Sequence, residues 1–354
     1  MAQKKESATL KQIALQAGVS LGTVDRVLHN RGRVNEETRA RVQEIVAKLG
    51  YQPNIHASMI SVRRSFKIAV LIPYFQTGEF WSMIYDGVQE AVAGYKSLDI
   101  SLSFFYYNQF GDGNFDEVCR TCLDFNPDGV LLAPINREAS SELVKTLYSC
   151  NVPTVLIDTN IEDIPYFAYF GTNLYGSGYV LADLLFSDNG GKVKKVAVFD
   201  VDRKGGGVNA SMENRFRGFS KYIEDNGLSC EILRCSISAS DFLSNVDVFN
   251  GFFREHPDVH HAVTFSSRAH MISDWKEING YGNLAVYGYD ATPANVSSLR
   301  KGAIRMLISG HTSAEAGDAM KALLEKVIAG AVPARKDTFY PIDILTRYNV
   351  EFYQ

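Results

Sequence analysis

Leu21, Gly22, Thr23, Arg26 and His29 are the residues of this chain whose types and spacing most directly suggest chemistry. They fall on or near the outer face of one short helix, whose other face is Val24, Val27 and Leu28. An arginine presented there can pair bidentately with guanine, and a leucine can touch a thymine methyl. Other constellations are weaker. Cys119-x-x-Cys122 has no second cysteine pair at zinc-like spacing, so buried thiols are expected. Gly205-Gly206-Gly207 lacks both the dinucleotide fingerprint and a Walker lysine, and reads as a flexible loop. Neither a Gly-x-Ser-x-Gly elbow nor a His-Glu-x-x-His pair occurs. No catalytic group, metal site or cofactor is expected.

Two further helices must hold the Arg26 helix in place. Thr9-Leu10-Lys11-Gln12 has the form of a capping box, with Leu10, Ile13, Ala14 and Ala17 at helical spacing and Gly18 as a stop. Ser20 caps the second helix. Asn35 caps a third, with Glu36 and Glu37 in its first turn and Val42, Ile45, Val46 and Leu49 inward. Two short helices joined by Ala17-Gly18-Val19-Ser20, then a third, is the helix-turn-helix pattern. Charge agrees: up to Phe66 there are eleven Lys/Arg against five Asp/Glu, a net +6, while the rest of the chain carries −10. A basic head on an acidic body suggests a polyanionic partner for the head alone.

These residues, with Arg26-Val27-Leu28, Gly32-Arg33-Val34, Glu37-Thr38-Arg39 and Leu49-Gly50-Tyr51-Gln52-Pro53-Asn54, closely resemble the LacI/GalR transcriptional regulators. The resemblance implies that Thr9, Ser20, Leu21, Gly22, Thr23, Arg26 and His29 contact operator DNA. Asp25 stands where family members usually have serine. The family carries a hinge after the third helix that becomes helical on DNA and inserts a leucine pair into the minor groove. Asn54-Ile55-His56-Ala57-Ser58-Met59-Ile60 matches it in position, so Asn54, Ala57 and Ile60 join the expected DNA contacts, Ile60 as an apolar wedge.

The acidic body alternates strand and helix. Lys67–Pro73, 101–107, 129–133 and 154–158 read as strands, with helices over 82–95, 115–124 and 138–148; the rhythm restarts around Tyr169. The expected fold class is an α helix-turn-helix head plus an α/β body of two parallel-sheet, Rossmann-like lobes. The body resembles the type I periplasmic sugar-binding fold that the family uses as its effector domain, in which the chain crosses between lobes three times. The expected organisation is a head over 1–52, a hinge over 53–65 and an effector domain over 66–354. Lobe 1 is expected at about 66–162 and 293–335, lobe 2 at about 166–290 and 338–354. The crossings are expected near Asp163–Tyr166, at Asp290–Asn295 with a return at Ser309–Thr312, and around Lys336–Phe339.

The resemblance also nominates effector contacts. Phe75, Phe80 and Trp81 follow the first strand, where the family places aromatics against a ligand ring. Asp158 matches a ligand-contacting acid, Arg215 the arginine of an Arg-x-x-Gly-Phe motif, and Asp290 a further ligand acid. Ser267-Arg268 replaces the usual Asn-Asp, and His311 falls where glutamine is common. Arg215, Arg268 and His311 around one cleft would suit an anionic or phosphorylated sugar.

Hydrophobic residues at 46% and charged residues at 21% fit a globular chain, and no apolar run approaches the ~18 residues of a membrane helix. The polar start lacks the apolar core of a signal peptide, and five cysteines do not suggest a disulfide scaffold. The expectation is a cytoplasmic, sugar-responsive, homodimeric regulator of double-stranded operator DNA that is not an enzyme and has no membrane partner. The alternative is a solute-binding module whose head docks on DNA nonspecifically.

Overall fold

The computed structural model describes residues 10–28, 32, 34–49, 65–110, 114–134, 136–202 and 210–353. The chain forms two compact units, 1–62 and 63–354. Expected contacts Thr9, His29, Asn54, Ala57 and Ile60, most of the hinge and the triple glycine lie outside the described residues.

The smaller unit contains α1 (Leu10–Ala17), α2 (Leu21–Leu28) and α3 (Glu36–Leu49). Ile13, Ala14, Ala17, Val24, Val27 and Val42 are its buried core. Each fully buried Ile or Val contributes roughly 1.5–3 kcal/mol, so Ile13, Val24, Val27 and Val42 can hold a short three-helix unit. Gly18 closes α1 with φ 62°, while Val19 N–H donates to Ala14 O at 3.0 Å. Ser20 Oγ accepts from Thr23 N, and Asn35 Oδ1 accepts from Glu37 N, as the capping residues predict.

The larger unit is built on two six-stranded sheets. The first has the order β11 (Asp337–Tyr340), β5 (Ala168–Thr172), β4 (Thr154–Ile157), β3 (Gly129–Leu132), β1 (Phe66–Pro73), β2 (Ile100–Tyr107), all parallel. The second has the order β12 (Ile342–Leu345), β10 (Met306–Gly310), β9 (Ala285–Tyr289), β8 (His261–Val263), β6 (Lys195–Val201), β7 (Glu231–Ile237). It is parallel except for β12, which runs against β10. The central strands β1, β3 and β4 are almost wholly buried and apolar, as strands covered on both faces must be. Helices α4 (Phe80–Ala93), α5 (Phe115–Asp124), α6 (Arg137–Ser149) and α12 (Thr312–Ala329) accompany the first sheet. Helices α7 (Leu174–Asp188), α8 (Ala210–Asp225), α9 (Phe242–Glu255), α10 (Ala269–Asn279) and α11 (Pro293–Lys301) accompany the second.

The lobe boundaries differ from those expected. β5 pairs with β4, Val155 opposite Ala168, so the first crossing follows Thr172 rather than falling at 163–166. The turn after Asp290 does not cross: Thr292 caps α11, whose Leu299 joins the core of the second lobe. β10 also stays in that lobe, pairing with β9, and the second crossing is Gly310 to Thr312. The third lies at 341, between β11 and β12, slightly beyond the expected 336–339. All three connections thus lie side by side at strand ends.

Candidate functional site: a cleft between two lobes

A cleft of about 580 Å3, open solvent at its mouth included, lies between the lobes at the carboxyl ends of their strands. That position is where open α/β sheets bind ligands. The first lobe contributes Glu79, Phe80, Trp81, Gln109, Phe110 and Asp158. The second contributes Val201, Ser211, Met212, Arg215, Phe265 to Arg268, and Asp290.

Two acids enter from opposite lobes through the same local device. Asp158 follows β4 with φ 65° and Asp290 follows β9 with φ 68°. Aspartate tolerates this left-handed conformation better than most residues, and here it turns each carboxylate out of its sheet end. Asp290 is 6% exposed and its N–H donates to Ile308 O at 2.8 Å. Burial pushes its carboxyl up to about 6; the Arg215 charge pulls it down and the Asp158 charge adds to the rise.

Arg215 owes its position to glycine. α7 and α8 pack so closely that a Cβ on Gly218 would lie 1.9 Å from Tyr175 O, and one on Gly178 1.8 Å from Arg215 O. The glycine of Arg-x-x-Gly is therefore a helix-crossing residue, and the crossing aims Arg215 at the cleft. Its Nη1 donates to Phe265 O at 2.8 Å, its guanidinium lies 4.2 Å from the Tyr289 ring centroid, and its Nε is buried without a partner. Held on one side by a carbonyl and below by an aromatic face, the planar fork is preorganised to donate to hydroxyls or a carboxylate. Phe80 and Trp81, edge to face at 5.1 Å, supply an apolar wall.

Seven of the nine expected body residues thus border one cleft: Phe80, Trp81, Asp158, Arg215, Ser267, Arg268 and Asp290. Arg268 does not offer an unmatched charge, because its Nη2 pairs with Glu79 Oε1 at 3.1 Å. Phe75 is not in the cleft; it packs on Tyr85 and Tyr106, at 5.7 and 5.8 Å. His311 is not there either: Nε2 faces Asp343 Oδ2 at 2.9 Å beside the second crossing. The arginine–arginine–histidine grouping that favoured an anionic sugar is therefore not assembled.

Sequence reasoning missed five residues. Ser211 and Met212 line the cleft one helical turn before Arg215, a spacing that could have nominated them. Phe110 and Glu79 come from loops with no signal. Glu315, in the first turn of α12, is 6% exposed and its Oε1 is buried without a partner. Burial pushes its carboxyl up to about 7; Asp158 and Asp290 add to the rise, and Arg215 and a backbone bond from His311 oppose it.

In the head, Leu21 is 46% exposed and Arg26 folds back along α2, its Nε donating to Gly22 O at 3.0 Å and its Nη2 lying 3.4 Å from Thr23 Oγ1. Cys119 and Cys122 are buried on α5 and burial pushes both thiols up to about 12. Among the described residues, no helix is long and apolar enough to cross a membrane, and no three His, Cys, Asp or Glu side chains are placed to hold a metal.

Two parallel-sheet lobes around such a cleft, in one chain with a helix-turn-helix unit, define a periplasmic-binding-protein-like ligand body joined to a DNA-binding type of head. The chain belongs to the periplasmic binding protein domain family, matched over residues 68–331, and residues 9–54 match the bacterial regulatory proteins of the lacI family. It is 24% identical over 80% of its length to the ribose operon repressor of Lactococcus lactis, covering 80% of that protein. It is 28% identical to the HTH-type transcriptional regulator pepR1 of Lactobacillus delbrueckii, with 64% of this chain aligned to 65% of that one. A LacI transcriptional regulator structure from Bacteroides fragilis, described there as putative, superposes with a TM-score of 0.78 at 28% identity. It covers 82% of this chain and 100% of that one. A solute-binding protein of Bacillus halodurans with bound myo-inositol shares the fold at a TM-score of 0.71 and 17% identity, over 83% of this chain and 98% of that one.

Proposed function

We propose that the chain is a homodimeric transcriptional regulator whose affinity for operator DNA is set by a small polyhydroxylated ligand in the interlobe cleft. The observation that carries this reading is the convergence of Asp158, Arg215 and Asp290, from three distant chain segments and both lobes, beside the Phe80–Trp81 wall. Carboxylates only accept hydrogen bonds and arginine only donates, so the set matches vicinal hydroxyls, which do both. Aromatic faces suit the apolar side of a sugar or cyclitol ring. The lacI-family head supplies the DNA partner, and the relatives' printed names are those of transcriptional regulators. A ligand gripped from both lobes favours one interlobe angle, and a change in that angle is the lever on the paired heads. The reading is tested by native mass spectrometry of co-purified ligand, followed by DNase footprinting with and without it. A ligand-dependent footprint over two half-sites about one helical turn apart supports it. A footprint that ligand does not alter would leave a solute-binding module whose head docks on DNA without regulation.

A further inference from the structure

The Glu79–Arg268 pair joins the two lobes across the cleft mouth, and its surroundings set it apart from a solvated ion pair. Arg268 is the N-cap residue of α10 in the second lobe, and Glu79 is the N-cap residue of α4 in the first. Their side chains are 14% and 31% exposed; among the described ion pairs no other has both partners so sheltered. Exposed pairs contribute little because water competes with both charges, an objection that weakens as the pair is covered.

Both arms are held before they meet. Glu79 Oε2 accepts from Gln76 N at 2.9 Å, leaving Oε1 for the arginine. Arg268 N lies 3.3 Å from Ser266 Oγ, and the preceding carbonyl, Ser267 O, accepts from Asn295 Nδ2 at 3.0 Å. Asn295 is fully buried and fixes this loop to the body of its lobe. A planar guanidinium with preset neighbours loses less freedom on pairing than a lysine would. Two further contacts cross the same mouth. The Arg268 guanidinium lies 5.4 Å from the ring centroid of Phe110 in the first lobe. A Cβ on Gly78 would come within 3.8 Å of Pro293 Cγ, at the start of α11 in the second.

We infer that Glu79 and Arg268 form a latch that holds the lobes together over the ligand cleft, with Phe110 and the Gly78–Pro293 contact completing it. The latch is made of protein atoms alone, so it biases the molecule toward the closed arrangement whether or not the cleft is occupied. A ligand then has less of the closing to drive, and must wait for the latch to open in order to enter or leave. Arg268 is in this sense a positioning residue for the closed cleft.

The full-length chain carries its own reporter. It has two tryptophans. Trp81 lines the cleft, while Trp275 is fully buried in the second lobe, its Nε1 donating to Asn250 Oδ1 at 3.0 Å. Acrylamide quenching therefore reads the opening at Trp81, and the persistence of blue Trp275 emission verifies that a variant is folded. Arg268→Met and Glu79→Gln should each steepen the quenching slope, by about twofold or more if a minor open state of up to ~10% becomes the major one. Small-angle scattering should show a larger radius of gyration in both. The exchanged pair Glu79→Arg with Arg268→Glu should recover much of the compact, protected state, and the double variant Glu79→Gln with Arg268→Met should open no further than either single. Slopes and radii equal to wild type in folded single variants would overturn the latch, as would single effects that simply add. Steeper quenching at unchanged radius would also overturn it, since that marks a rearrangement around Trp81 alone. No effector and no DNA enter the test, so its failure is independent of the regulatory reading.

Discussion

Asp290 and Glu315 are two cleft-side carboxylic acids whose ionised forms the fold disfavours. Their carboxyls are raised to about 6 and about 7, in both cases first by burial. A raised carboxyl binds its proton more tightly folded than unfolded, so stability is greatest below the unfolded values near 4 and declines as pH rises through the folded ones. With about 1.4 kcal/mol per unit, each acid is expected to cost roughly 3 kcal/mol by pH 8, less where they share one repulsion. Glu315→Gln removes that cost and keeps the shape. It should raise the urea midpoint at pH 8 and leave it nearly unchanged at pH 4. Destabilisation at pH 8 would show that the ionised carboxylate is held by a compensating partner. Asp290→Asn keeps a side chain that tolerates φ 68° but replaces an acceptor-only group, so it should weaken the co-purified ligand by about tenfold, for a charged hydrogen bond worth roughly 1.5–3 kcal/mol. Calorimetry measures it, and unchanged affinity moves the ligand away from Asp290. Glu315 itself was not legible in the sequence. An acid in the first turn of a helix is an ordinary complement to the helix dipole, and only the adjacent crossings bury it.

At the scale of elements, periodicity located most strands and helices but not their lobes. The helix expected over 115–124 is Phe115–Asp124, and the strand expected over 129–133 is Gly129–Leu132. What periodicity lacks is sheet membership. β5 and β10 have the same short apolar character as their neighbours, and their pairing partners are set by contacts distant in the chain. Phe75 shows the same limit. An aromatic after a strand end reads as a ring-stacking candidate, yet its side chain finds Tyr85 and Tyr106. Arg215 was found for the right reason only in part, since the motif marks it and the α7–α8 crossing explains it. That explanation is testable. Gly178→Ala forces a Cβ against the Arg215 carbonyl, 1.8 Å away, so the helices must separate. Overpacking of this kind costs typically ~1–3 kcal/mol. The expected result is a lowered urea midpoint together with weakened ligand binding, because α8 carries Arg215. Lowered stability with full ligand affinity would show that the crossing does not aim the arginine.

For the whole molecule, the division of charge between a +6 head and a −10 remainder confines DNA attraction to the head. Operator affinity should fall steeply with salt, since each neutralised phosphate releases counterions, and Arg26→Ala should separate charge from base reading. Arg26 lies folded along α2, on Gly22 O and Thr23 Oγ1, so reaching a base exchanges those two contacts for a bidentate pair with guanine. Its loss is expected to cost about 1–3 kcal/mol at operator and far less on random DNA. Equal weakening on both would reduce Arg26 to a phosphate contact. The link between head and cleft has a stricter check, because coupling is reciprocal. If ligand changes operator affinity by some factor, operator must change ligand affinity by the same factor and in the same direction. Titrating the co-purified ligand into free protein and into protein saturated with operator, alongside gel shifts with and without ligand, gives both factors. Agreement is the expected result, and it should hold in Asp290→Asn once ligand is raised to saturation. A ligand effect on operator with no matching operator effect on ligand cannot come from one coupled molecule, and would place the ligand's action outside the cleft.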